Sequence, residues 1–353
     1  MGHTGGMAPT VAIVSYRLGH ADGVSVEAAK WAGAFRSLGF GVVTVAGSGK
    51  ADRLLPGLAI DADEPPSAVD VADALTGVDL VVAENVCSLP LNREVSEVVA
   101  AALAGRPAIL HHHDLPWQRP PYRDVDGFPP TDPAWAHVTV NLVSCTELAD
   151  RGIEATVVPN CFDVDAPPGR REATRRAVGV APGERLVLQP TRAIARKNVP
   201  AGLRLAERLG ATYWLVGPAE DGYQLELDRL LAAATVPVVR RLPGETTVAD
   251  AYAAADAVVL PSTWEGFGNP SIESVIHRRP LAIGRYPVAR EIAAFGFRWF
   301  PVDDAAPLDR WLDDPDRDGH LLEANLAIAR RHFSLASLER RLARLLDDAG
   351  WAR

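Results

Sequence analysis

Short β-branched runs alternate with longer amphipathic stretches along most of the chain. TVAIVSY (10–16) is apolar almost throughout, which predicts a strand buried on both faces. In VEAAKWAGAFRSLG (26–39), Ala28, Trp31, Phe35 and Leu38 recur at helical spacing, and Gly39 ends the pattern. GVVTVAG (41–47), LVVAE (80–84), PAILHHH (107–113), VTVNLVS (138–144) and ATVVPN (155–160) read as further strands, with helical stretches such as 91–105 between some of them. Such β-α-β alternation predicts a parallel sheet covered by helices on both faces.

DVDAPPGRREA (163–173) is rich in proline, glycine and charge and reads as a linker. The alternation then restarts with RLVLQP (185–190), TYWLVG (212–217), VPVVRRL (236–242), AVVLPS (257–262) and RPLAIG (279–284). The expectation is α/β, with two doubly wound Rossmann-like domains, 8–164 and 174–333, facing across a cleft. The final thirty residues before Trp351 read as two helices broken near Phe333–Ser334. The last of them, about 334–353, is expected to pack back onto the first domain. Ligands of open α/β sheets bind beyond the carboxyl ends of the strands, so the loops that follow strands are where chemistry is expected.

Composition narrows the function classes. The 353 residues suffice for two ordinary domains, and 48% are hydrophobic against 23% charged. The net charge of −9 argues against a nucleic-acid binder, which needs a basic face. Cys87, Cys145 and Cys161 are odd in number and lack metal spacing, so reduced thiols in a cytoplasmic protein are expected. No apolar run reaches the roughly 18 residues of a membrane span, and no secretory leader pattern is present, so neither stable membrane insertion nor export is expected. The Ala-, Arg- and Asp-heavy usage suits a GC-rich bacterial genome.

AVVLPSTWEGFGNPSIESVIH (257–277) reads as strand, loop and helix. Pro270 suits a first helical position and Asn269 a cap, so the free amides at this helix start would suit an anion. Gly266 and Gly268 would let backbone approach a ligand closely. Glu273 falls in the first turn, where it would accept hydrogen bonds from a ribose diol, and Glu265 in the loop, where it would take sugar hydroxyls. Acids on either side of an anion site fit a sugar nucleotide. Upstream, LQPTRAIARKNVP (188–200) places Arg192 and Lys197 five apart after a strand, as a clamp for a diphosphate. Neither GxxxxGK[ST] nor a GxGxxG after a first strand is present, which argues against a P-loop NTPase and a nicotinamide enzyme.

The loops of the first domain add candidates. Gly19, Asp22 and Gly23 precede the 26–39 helix, and Gly23 could bring backbone amides to a phosphate. Glu84 and Asn85 end a strand and are expected on the acceptor side. Three adjacent histidines, His111, His112 and His113, end another. Neighbours on an extended chain alternate in direction, so one ion would engage His111 and His113 at most, and no metal site is expected. Trp117, Arg119, Tyr122 and Arg123 form an aromatic and basic loop suited to an acceptor.

EGFGNPSIE (265–273), with RAIARKN (192–198) upstream, resembles the Glu-x7-Glu pattern of the retaining GT-B glycosyltransferases of glycosyltransferase family 4. DAYAAADAVVLPSTWEGFGNP, VVPNCFD and RRHFSLASLERRL resemble the family too, so the likeness covers nearly the whole chain. It implies that Glu273 holds the nucleotide ribose. It gives the donor sugar and phosphate to Glu265 and the backbone of Gly266, Phe267, Gly268 and Asn269. It gives the diphosphate to Arg192 and Lys197, and contact with the donor sugar to His113, directly before Asp114, with His112 in reserve. The first loop reads ADGVS where the family often shows two adjacent glycines. The implied reaction is retaining transfer of a hexose from a nucleoside-diphosphate sugar, with UDP or GDP as carrier, to an acceptor hydroxyl. No cofactor and no divalent metal are implied, because Arg192 and Lys197 neutralise the leaving diphosphate. The 26–39 helix carries only Lys30 and Arg36, which points to a soluble acceptor such as a small sugar, a cyclitol or a natural-product intermediate. A GT-B epimerase or phosphorylase, and a non-catalytic sugar-nucleotide-binding scaffold, remain the rival readings.

Overall fold

The apolar runs become the inner strands of two sheets in which every paired strand is parallel. The computed structural model describes residues 8–20, 22–240, 242–315 and 319–351. They fall into two compact units: one runs to Cys161 and resumes at Leu335, and the other is Phe162–Ser334.

In the first unit the strands are β1 (Thr10–Leu18), β2 (Gly41–Gly49), β3 (Arg53–Leu54), β4 (Leu80–Glu84), β5 (Ala108–His112), β6 (Trp135–Thr139) and β7 (Ala155–Val157). Their order across the sheet is β3-β2-β1-β4-β5-β6-β7. All five residues of β4 and of β5 are buried, as central parallel strands require. The second unit holds β8 (Leu186–Gln189), β9 (Thr212–Leu215), β10 (Val238–Val239), β11 (Ala257–Leu260), β12 (Leu281–Ile283) and β13 (Phe300–Pro301), in the order β10-β9-β8-β11-β12-β13. Both sheets reverse their winding once, between β1 and β4 and between β8 and β11. At such a switch the two following loops part to opposite faces and leave a crevice at the strands' carboxyl ends.

Three expectations change. VTVNLVS is not one strand: β6 stops at Thr139 and a helix begins at Leu142. Asn141 caps that helix, its Oδ1 accepting from the Ser144 amide at 2.6 Å, and a short apolar run cannot by itself separate strand from helix. The strand expected over 236–242 shrinks to Val238–Val239, with Arg241 outside the described residues. The 163–173 stretch is fastened into the second unit rather than left as a solvated linker. A helix starts at Arg171; Arg170 bonds Asp250 at 2.8 Å, and Arg175 bonds Asp256 at 3.0 Å and the Ala254 carbonyl at 2.9 Å.

The C-terminal stretch divides into helices Leu321–His332 and Leu335–Asp348. The last buries Leu338, Leu342, Leu345 and Leu346 in the first unit's core, with Trp31 and Phe35 of the Gly23–Ser37 helix. Leu342 is fully buried whereas Leu335 is exposed. Leu342→Ala is expected to cost about 2–5 kcal/mol of stability in urea unfolding, and Leu335→Ala to stay within about 0.5 kcal/mol of wild type.

Candidate functional site

The loops at the second unit's winding switch hold its charged cluster. At the end of β8, buried Gln189 sets the path of the chain that follows: its Nε2 donates to Thr191 Oγ1 at 3.1 Å and to the Lys197 carbonyl at 3.2 Å, while Tyr213 donates to its Oε1 at 2.6 Å. The 3-10 turn Ala195–Lys197 and left-handed Asn198 (φ +50°) then carry the chain into the next helix. Beyond β11, the Thr263 amide donates to the Arg196 carbonyl at 2.9 Å and joins the two loops. Glu265 lies where they meet. Lys197 Nζ and Ser262 Oγ each donate to its Oε1 at 2.5 Å, and Arg196 Nη1 donates to its Oε2 at 2.9 Å. Lys197 and Glu265 are 9% and 5% exposed.

Charge follows from this geometry. Burial works against an ionised Glu265, but Lys197 and Arg196 outweigh it and hold the carboxyl below its ordinary range. Burial also lowers the Lys197 ammonium, and Glu265 does not fully offset that, because Arg196 adds a repulsion. Two cations therefore share one carboxylate, and the trio carries a net positive charge. Arg196 Nε, Ser271 Oγ and Tyr286 Oη are buried around the same loop without a hydrogen-bond partner among the described residues. Unmet buried donors beside a net cationic pair are what an anionic, hydroxyl-rich ligand would satisfy.

The expected donor-site residues fall into distinct places. Arg192 is half exposed and bonds Glu220 at 2.5 Å, so the partner of Lys197 at the carboxylate is Arg196 instead. Glu273 accepts from Tyr252 at 2.6 Å, and Tyr252 is itself buried and stacked on His277 with ring centroids 5.1 Å apart. Gly268 has φ +91°, and a Cβ there would come within 2.6 Å of Tyr286 Oη, so the loop needs glycine at this position. The Phe267 ring packs with Phe162 and Phe333 at 6.2 and 6.0 Å, which leaves only its backbone for a ligand. Asn269 is already helical and its side chain makes no cap bond; the Ser271 amide instead bonds the Gly268 carbonyl at 2.8 Å. Gly266 is half-buried in the same loop.

In the first unit, Asp22 is occupied as a helix cap. It accepts from the Ser25 amide at 3.1 Å and from the Ser25 hydroxyl at 3.0 Å, and pairs with Arg17 at 3.2 Å. Gly23 opens that helix, with nothing within 4 Å of where a Cβ would lie. Glu84 is not open to an acceptor: it is fully buried, and its Oε2 accepts from His111 Nδ1 and His113 Nε2, both at 2.9 Å. Asn85 is also buried. It takes a left-handed backbone (φ +59°) and its Oδ1 accepts the His113 and Asp114 amides at 3.2 and 3.4 Å, so it shapes the loop. His112 is unfit as a reserve for His113. It is buried on the opposite face, bonded to Ser88 at 2.5 Å and to His137 at 3.0 Å, and burial holds it neutral. Trp117 donates to Glu147 at 2.8 Å beneath the Arg151 guanidinium, and Arg119 approaches Asp114 at 3.4 Å. Among the described residues, Glu84, His111 and His113 form the one group of three whose ligand-type atoms converge, within 4.8 Å. Two N–H donors on one carboxylate account for that convergence, and we assign no ion to it.

Sequence reasoning missed Arg196, Tyr252, Tyr286 and the Glu84–histidine bonds. Arg196 was adjacent to Lys197 and only the tight turn brings both to one carboxylate. Tyr252 and Tyr286 reach the site from other elements, with no local signal.

Residues 170–318 match the family model Glycosyl transferases group 1. Mannosylglucosylglycerate synthase of Thermotoga maritima is 27% identical, the alignment covering 95% of this chain and 99% of the relative. The Petrotoga mobilis protein of the same name is 24% identical, over 96% of each. Among solved structures, Anabaena Alr3699/HepE in complex with UDP and glucose superposes with a TM-score of 0.71 at 18% identity, over 96% of this chain and 99% of that one. The two-domain α/β architecture is thus one found in glycosyltransferases of GT-B type.

Glu265→Ala would leave two neighbouring cations without their carboxylate. It is expected to cost roughly 3–5 kcal/mol in denaturant unfolding. A cost below about 1 kcal/mol would show that the ionic trio is not formed in solution.

Proposed function

We propose that the protein is a retaining, metal-independent glycosyltransferase that moves a hexose from a nucleoside-diphosphate sugar to a hydroxyl of a small, soluble acceptor. The observation that carries this reading is the net cationic Lys197–Arg196–Glu265 trio at the β8/β11 switch, ringed by unsatisfied donors. Lys197 and Arg196 would bind the diphosphate and stabilise its charge as it leaves. Arg192, half exposed beside them, would exchange Glu220 for the same phosphates. Glu265 would bind the sugar's hydroxyls and Glu273, steadied by Tyr252, the ribose diol. His113 is assigned to the transferred sugar. The leaving phosphate would take the acceptor's proton, so no carboxylate nucleophile is required.

The comparisons support the donor class. The Anabaena structure carries UDP, and the two curated relatives bear the name of a synthase of a small glycoside. Among the described residues no helix is long and apolar enough to cross a membrane.

A panel of nucleoside diphosphates and their sugars, without added metal, tests the donor. A cognate ligand at 100 times its dissociation constant should add about 2.7 kcal/mol of stability. With the donor known, the anomeric configuration of the product, read by NMR, should match that of the donor, and a chelator should not change the rate. Lys197→Ala should lower kcat by roughly 10²–10³-fold. An inverted product, or no stabilisation by any diphosphate, would overturn the reading.

A further inference from the structure

Glu84 presents a charge problem whose solution bears on His113. It is a fully buried carboxylate, and among the described residues no lysine or arginine bonds it; its two hydrogen-bond partners are imidazoles. A buried carboxylate needs a cation beside it. Protonating Glu84 instead would place the acid proton on Oε1, which is buried and has no partner, or on Oε2, which already receives two N–H donors. A positive charge on one of the two rings would answer that need.

The surroundings choose between them. His111 is 1% exposed, stacks on Trp31 with ring centroids 4.1 Å apart, and has a buried Nε2 with no partner. A second proton there would be a buried, unpaired N–H, whereas a neutral ring leaves only a bare lone pair. His113 is 10% exposed, and its Nδ1 makes no hydrogen bond among the described residues. Two further carboxylates act on it, each with a cation of its own beside it. Glu27, from the Gly23–Ser37 helix, is buried and paired with Lys30 at 2.5 Å. Asp114, with Arg119 beyond it, follows His113 in the chain. Both carboxylates favour a charged His113. Burial opposes that charge, but Glu84 outweighs it and the ring is raised above the ordinary histidine value, while burial keeps His111 below it.

We propose that Glu84 is a positioning residue that holds His113 as an imidazolium, its Nε2–H locked to the carboxylate and its Nδ1–H left as a charged donor to the transferred sugar. The proposal rests on the glycosyltransferase reading and adds a restriction to it. An imidazolium cannot accept the acceptor's proton, so His113 is not the general base. Glu84 acts through His113 and does not itself touch substrate. The pH dependence separates the two roles. A general base loses activity as pH falls through its pKa, whereas a cationic donor loses activity as pH rises through it.

The test is a long-range 1H–15N NMR titration of the full chain with 15N-labelled histidine, His113 being assigned by its absence in His113→Gln. The expected result is a doubly protonated His113 that persists above the ordinary histidine midpoint, and a midpoint displaced to lower pH in Glu84→Gln. The alkaline limb of kcat should move by the same shift, with kcat recovering as pH is lowered. A His113 that titrates below the ordinary value, a midpoint unmoved in Glu84→Gln, or activity lost on the acid side of the His113 midpoint would overturn the proposal. So would a spectrum that changes when chelator is added, which would put a cation between the rings. If Glu84→Gln does not fold, the wild-type midpoint, above or below the ordinary value, decides alone. The titration needs neither donor nor acceptor, so its failure is distinguishable from a failure to transfer sugar.

Discussion

Two cations on one buried carboxylate set the terms for the second unit's site. Glu265 could not stay ionised at its depth without Lys197 and Arg196, and neither cation could sit so close to the other without Glu265. The arrangement is stable only because the loops are fixed elsewhere. Gln189 and Tyr213 hold the backbone at Lys197, the Thr263 amide ties the second loop to the first, and Ser262 fills the remaining lone pair on Oε1. What remains is a surplus positive charge and three buried polar atoms without partners among the described residues, the features on which the proposed anion site rests.

The winding of the sheets explains why this chemistry gathers where it does. β8 and β11 are neighbours in the sheet although their C-terminal ends, Gln189 and Leu260, are 71 residues apart in sequence, and the reversal between them opens their following loops to one crevice. The first unit repeats the device. β1 and β4 flank its switch; Asp22 lies in the loop after β1, Glu84 ends β4 with Asn85 next, and His111 and His112 end the adjacent β5 with His113 directly after it. There the solution to a buried carboxylate is different. Imidazoles replace lysine and arginine, and a charge that is permanent at Glu265 becomes titratable at Glu84. The aromatic packing of Phe267 against Phe162 and Phe333 serves a related end in the second unit, fixing the glycine-rich loop by a side chain that faces away from any ligand.

Much of this was legible in the sequence. Central parallel strands are buried on both faces, so their apolar runs stand out, and the restart of the alternation marked a second sheet. The loops after β8 and β11 were identifiable because strand position and residue chemistry agreed there. What the sequence could not show was pairing across elements. Arg192 and Arg196 look equivalent in RAIARKN, yet only the turn at Ala195–Lys197 decides that Arg196 reaches Glu265. Glu84 and Asn85 looked like open acceptor contacts because their strand end was known, but their burial depends on His111, His113 and the Gly23–Ser37 helix. His112 and His113 could not be ranked without the pleat that sends them to opposite faces. VTVNLVS misled because Leu142 and Val143, the two apolar residues after the Asn141 cap, continue a strand's pattern into a helix's first turn.

The central claim is that the trio at the β8/β11 switch is a diphosphate site. Calorimetric titration of a nucleoside diphosphate, the matching monophosphate and the free nucleoside, into wild type and Arg196→Ala, tests it most directly. The account predicts that affinity rises at each added phosphate in the wild type, and that Arg196→Ala loses the gain from the second phosphate while keeping the nucleoside's own contribution. Equal affinity for all three ligands, or a diphosphate preference untouched by Arg196→Ala, would contradict it.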